Sequence, residues 1–77
     1  LDPNRGYARH YENYLFLRLV QRNGKPHERH QASKEIEVCQ QKLDWWRHRP
    51  GWTVADCTKA CAELRRTWQV PDTEALP

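Results

Sequence analysis

Long apolar runs are missing from this chain: no uninterrupted stretch of non-polar side chains exceeds that of Leu15-Phe16-Leu17. A membrane-spanning helix needs roughly 20 such residues, so a bilayer span is excluded. Glycine and proline are sparse, three and five of 77 residues, which excludes collagen-like and low-complexity sequence. Cysteine is also scarce. Three residues, an odd number with no dense framework, argue against a secreted disulfide scaffold and point to a reducing, intracellular setting. The chain opens at Leu1 with no charged-then-apolar leader, as expected of a processed or excised piece.

What remains is one small domain, too short for a second core. Lys and Arg number 13 against 10 Asp and Glu, a formal net charge of +3. Only 38% of residues are hydrophobic, so four Trp, three Tyr and one Phe must supply much of the burial energy. The core is expected to be thin and aromatic.

Two turn signals, Asn23-Gly24-Lys25-Pro26 and Arg49-Pro50-Gly51-Trp52, divide the chain into three periodic segments. Asn-Gly also marks β-hairpins, but Pro26 to Lys34 offers no alternating apolar residues to pair with Tyr14 to Val20. The reading is therefore all-α: a small antiparallel three-helix bundle running up, down and up, with helices at about 7–22, 27–48 and 54–69 in a single domain over 1–71. Residues 72–77 are expected to form a loose C-terminal tail.

The first helix is apolar nearly all round in its back half and is expected to be the most buried. Tyr11, Leu15 and Leu19 form its inward stripe, flanked by Phe16 and Val20, while Tyr7 and Tyr14 bury their rings and keep their hydroxyls wet. In the second helix Ala32, Ile36, Cys39, Leu43 and Trp46 recur at spacings of four and three, a seam for neighbouring helices. The third opens on Thr53 as N-cap with Asp56 behind it and turns Val54, Cys57, Cys61, Leu64 and Trp68 inward.

Catalytic patterns are absent, with no glycine-rich phosphate loop and no Ser or Cys in a nucleophile motif. His27-Glu28-Arg29-His30 spaces its histidines by three where a zinc-protease helix needs four, and reads as two surface imidazoles. Cys57 and Cys61 lie one helical turn apart with Cys39 and His10 expected at similar height. Small apolar core positions explain these sulfurs without a metal, so neither metal nor cofactor is expected, although a Cys39–Cys61 bridge is conceivable in an oxidising compartment.

The most distinctive stretch is Trp45-Trp46-Arg47-His48-Arg49-Pro50-Gly51-Trp52. Neighbouring helical residues differ by about 100°, so with Trp46 inward Trp45 faces out, on one line with Val38. The expected function is docking onto another protein through Trp45, Val38 and Trp52, with Arg47 and Arg49 at the rim or as anchors. Two alternatives leave Trp45 or Trp52 structural: the Leu1–Gly6 arm folded over Trp45, or Trp52 stapling the start of the third helix. From a different class, Arg18, Arg22, Lys25, Arg29, Arg65 and Arg66, with Lys34, form a basic pole for nucleic-acid phosphates. An enzyme is not expected.

Overall fold

The computed structural model describes residues 2–70, and the expected loose tail lies outside them. Three helices follow in order, α1 (Pro3–Asn23), α2 (Pro26–Arg47) and α3 (Val54–Thr67). Among the described residues there is no strand, and no helix is long and apolar enough to cross a membrane.

Each helix starts where side chains satisfy its free N–H groups. Asp2 accepts from the Asn4 N–H at 3.0 Å, with Pro3 filling the first helical position. This places the start of α1 four residues before the expected Tyr7 and puts residues 3–6 of the supposed N-terminal arm in its first turn, Leu1 lying outside the described residues. Asp2-Pro3 was the sequence signal for it. At α2, Glu28 reaches back to accept the Lys25 N–H at 2.9 Å. At α3, Thr53 accepts from the Asp56 N–H and donates to the Asp56 carboxylate at 2.8 Å.

Stops are equally local. Gly24 ends α1 with a φ of −77°, so it is not there for left-handed backbone. A Cβ on it would sit 2.6 Å from the Val20 carbonyl oxygen, and close approach is what requires glycine. Beyond α3, Gln69 adopts a left-handed φ of 57°, and the Gln69 and Val70 N–H groups turn back to the Arg66 and Arg65 carbonyls. That is a Schellman stop built on a residue other than glycine.

Contacts set the directions. Ser33 meets Gln21, Cys39 meets His10 and Arg47 meets Tyr7, so α2 descends alongside α1. Cys57 meets Asn4, Arg65 meets Tyr11 and Trp68 meets both Glu12 and Phe16, so α3 ascends with it. The chain runs up, down and up. It is not a symmetric bundle, because α2 and α3 each pack on α1 while their own backbones stay apart.

Tyrosines from α1 fill the wedge this leaves. Tyr7, Tyr11 and Tyr14 are buried and stack in a ladder with centroids 6.5 and 5.9 Å apart. Each hydroxyl accepts from an arginine of a different helix: Tyr7 from Arg47 at 3.4 Å, Tyr11 from Arg65 at 3.0 Å and Tyr14 from Arg18 at 3.4 Å. The hydroxyls expected in water are met by guanidinium groups instead.

Burial along α1 accordingly differs from the expected stripe. Leu15 and Leu17 are buried, Leu19 and Val20 are half-buried, and Phe16 is 49% exposed. The cause is the length of α3. Its 14 residues end beside Phe16, so the upper third of α1 has one helical neighbour rather than two, and the front of the helix is the buried part. At the other end Val54 projects one turn below the level of Asn4 and is 62% exposed, and near the top of α3 Arg65, 6% exposed, is more buried than its neighbour Leu64, the residue expected inward. The α2 seam of Ala32, Ile36, Cys39 and Leu43 is buried as the spacing predicts, with Trp46 half-buried at its end.

Candidate interaction face

One line of α2 side chains, Glu35, Val38, Lys42 and Trp45, advances by alternating steps of three and four and borders α1 on the side away from the tyrosine ladder, with Arg49 of the following loop beyond its end. Asp2, Arg5, Arg9 and Asn13 of α1 face it. Between them lie depressions of about 360, 490 and 290 Å³. Asn13 borders the first two and Trp46 the last two, so they lie in a row along the α1–α2 seam, a groove floored by Cys39, His10, Gly6 and Trp46.

Trp45 and Val38 are each 52% exposed on this face. Trp46 meets Trp45 at an interplanar angle of 85° and 4.9 Å between centroids, and the Arg49 guanidinium sits 4.5 Å from the Trp45 centroid. That contact is within range for a cation–π interaction. Trp46 in turn lies 6.2 Å from the His10 ring. Burial, then the positive charges of Lys42 and Arg9, hold the His10 pKa below its ordinary value of 6.5.

The expected docking residues divide between two places. Trp45, Val38 and Arg49 share the outer face. Trp52 and Arg47 turn to the ladder side, a correction with two causes: Arg47, the last residue of α2, lies one helical turn beyond the buried Leu43 on the inward seam, and past it the loop carries Trp52 across to α3. Trp52 packs on the core with its ring 5.7 Å from Tyr7, and Arg47 lies over it at 6.0 Å. As the residue before the α3 N-cap, Trp52 also reaches Cys57, the fourth helical residue, as a hydrophobic staple does.

Nor does the basic pole assemble as the sequence suggests. Arg22, Lys25, Arg29 and Lys34 are exposed near the α1–α2 turn. Arg18 is half-buried over the Tyr14 ring, and Arg65 is buried on Tyr11. Arg66 is exposed but belongs to the short α3, whose Arg65 stands level with Tyr11. Eleven residues separate Tyr11 from Arg22, about 16 Å along the helix, so α3 ends well short of the pole. His27 and His30 are exposed in the first turns of α2.

Three free thiols lie in the interior, on different faces of α1. Cys39 donates to the His10 carbonyl at 3.1 Å on the α2 side, whereas Cys57 contacts the Asn4 side-chain oxygen at 3.4 Å on the α3 side. Cys39 therefore does not face the other two as expected. Among the described residues, no three His, Cys, Asp or Glu side chains gather into a possible metal site. Burial raises the pKa of Cys39 and Cys57, and pushes Cys61 from 9.0 up to about 12 with help from Cys57.

Burial likewise pushes Tyr7 from 10.0 up to about 12, against the pull of Arg47. Both groups hold their protons more tightly folded than unfolded. Their contribution is complete below the unfolded values and is lost as pH rises towards the folded ones. Thermal stability is thus expected to fall from pH 9.0 to about 12 on account of Cys61 and Tyr7. Melting temperatures measured across that range check it, and a Tm unchanged up to pH about 12 would place both groups in water.

Sequence reasoning missed the arginine partners of the ladder, although three tyrosines at spacings of four and three were a visible signal for a common face. Comparison with known proteins finds no matching family model, no matching curated protein and no matching solved structure.

Proposed function

We propose that this chain is a non-enzymatic helical module that docks onto another protein through the outer face of the α1–α2 hairpin, with Trp45 at its centre. The carrying observation is that Trp45 and Val38 remain half-exposed on one helical line, seven residues apart, beside a groove. Trp and Arg dominate the energetics of protein interfaces when a partner removes them from water. Arg49 already lies on the Trp45 ring, which limits the side-chain ordering that binding would require. The thiols support the non-enzymatic reading, since burial pushes them away from the thiolate form that nucleophilic cysteine chemistry uses.

A phosphate-binding role for the basic pole has less support. Two of its arginines are engaged with tyrosine hydroxyls, and Arg66 stands far from the others.

The test places a photo-crosslinking amino acid at Val38 or, as a control, at the exposed Thr58 on α3, in cells that make the protein. A discrete protein adduct is expected from position 38, absent from position 58 and lost when Trp45→Ala is added. Equal adducts from both positions, or an adduct indifferent to Trp45→Ala, would remove this face from consideration.

A further inference from the structure

Resting on that docking reading, we propose that the α1–α2 groove receives an acidic amphipathic helix of the partner protein, its apolar residues on Trp45 and Val38 and its carboxylates on Arg9 and Lys42. Shape is the first argument. Two antiparallel helices leave a long furrow between them, and from Glu35 to Trp45 this one runs about 15 Å, some three turns of a third helix. Both walls are helical, with their backbone groups bonded internally, so no sheet edge is offered to an extended peptide. The apolar pair on the α2 wall is spaced by two helical turns, matching a ridge of residues on an incoming helix.

Charge selects the occupant. Arg5 and Arg9 line one wall and Lys42 and Arg49 the other, while Asp2 and Glu35 stand near opposite ends. The middle of the groove is positive on both sides. A second copy of this chain would bring the same positive field and be repelled, whereas a helix with Glu or Asp along its flanks is attracted from both walls. His10 on the floor fits the same field, since Arg9 and Lys42 disfavour its protonated form. A nucleic acid is a poorer match, because base stacking needs an open ring face and Trp45 is covered on one face by Arg49 and met at right angles by Trp46.

Fluorescence anisotropy with purified protein tests this, using a fluorescein-labelled peptide of about fifteen residues, long enough to span the groove at about 1.5 Å each. Leu occupies its helical i, i+3, i+4 and i+7 positions and Glu the remainder. Two companion peptides carry Gln or Lys in place of Glu. The Glu peptide is expected to bind more tightly than the Gln peptide, to weaken as ionic strength rises from about 0.01 to 0.15 M, and to shift the indole N–H resonances of Trp45 and Trp46. Trp45→Ala should weaken it about tenfold. Arg9→Glu/Lys42→Glu should do the same and transfer preference to the Lys peptide; these are surface positions, so the variants keep the fold.

Equal binding of Glu and Gln peptides, both sensitive to Trp45→Ala, overturns the acidic partner and leaves the docking face standing. Failure of every peptide to bind overturns the inference and returns the docking reading to its crosslinking test. A single-stranded oligonucleotide that displaces the Glu peptide through the same residues, or self-association of the free protein that Trp45→Ala abolishes, overturns it in favour of those occupants.

Discussion

Tyr11→Ala is expected to leave the domain largely unfolded at ambient temperature. At 77 residues, total stability is about 4 to 12 kcal/mol at the usual value per residue. The Tyr11 side chain is completely buried, stacked between Tyr7 and Tyr14, and fills the wedge that keeps α2 and α3 apart. Removing a buried aromatic ring costs roughly 3 to 5 kcal/mol. Here it also takes a hydrogen-bond acceptor from the buried Arg65 guanidinium, 3.0 Å from the hydroxyl.

Tyr11→Phe separates the two effects. The ring and its stacking remain and the hydroxyl goes, so a loss of about 1.5 to 3 kcal/mol is expected for its hydrogen bond to a charged group. Circular dichroism of Tyr11→Ala checks the first expectation, and urea denaturation of Tyr11→Phe against the wild type checks the second. Should Tyr11→Phe match the wild type within about 0.5 kcal/mol, the Arg65 head would have to be in contact with water and the wedge open.

Gly6→Ala is expected to destabilise the protein by up to about 2 kcal/mol, the reverse of what helix propensity alone predicts. In an unhindered helix interior the same change gains about 1 kcal/mol. At Gly6 the new methyl would lie 2.6 Å from two carbons of the Trp46 ring and 2.7 Å from a third. A rigid indole cannot yield locally, so the ring must move as a whole, and overpacking of this kind costs about 1 to 3 kcal/mol. Trp46 joins Trp45 and His10 at the groove, which means the displacement reaches the docking face as well.

The diagnostic variant is Gly6→Ala/Trp46→Leu. With the indole gone the alanine penalty should vanish, and the coupling energy between the two sites should be about 1 to 3 kcal/mol. Denaturation curves for the single and double variants give that energy. A more stable Gly6→Ala protein with unaltered tryptophan fluorescence would refute the close packing of α1 on Trp46.

Legibility in the sequence tracks how local each determinant is. The α2 seam, the Thr53 cap and the second turn were readable because each depends on residues within a few positions of one another. Trp45 beside Val38 was readable for the same reason, once Trp46 was taken as inward. Trp52 was misplaced because a loop between helices carries no period that says which side of the bundle it crosses, whereas Arg47, four residues after Leu43, continues the inward seam and its side was legible.

Arg65 shows the limit most plainly. Arg65 and Arg66 are adjacent and chemically identical, yet one is buried on Tyr11 and the other lies in water. Helical spacing puts them about 100° apart, but the side chosen depends on where α3 rests on α1. The upper end of α1 makes a parallel case. Its apolar residues are more exposed than their pattern suggests because α3 stops short of them.

From the chain alone came the helical class, the three segments, the alternating directions that short joints impose, and an outward indole at position 45. All of these follow from backbone hydrogen-bond closure and side-chain periodicity, which act over a turn or two. Only the packed molecule decided which arginines serve the tyrosine ladder, which basic residues share a surface, and that a groove joins Trp45 to Arg9. Those depend on relative helix length and on long, flexible cationic side chains whose heads go wherever an acceptor or water awaits them.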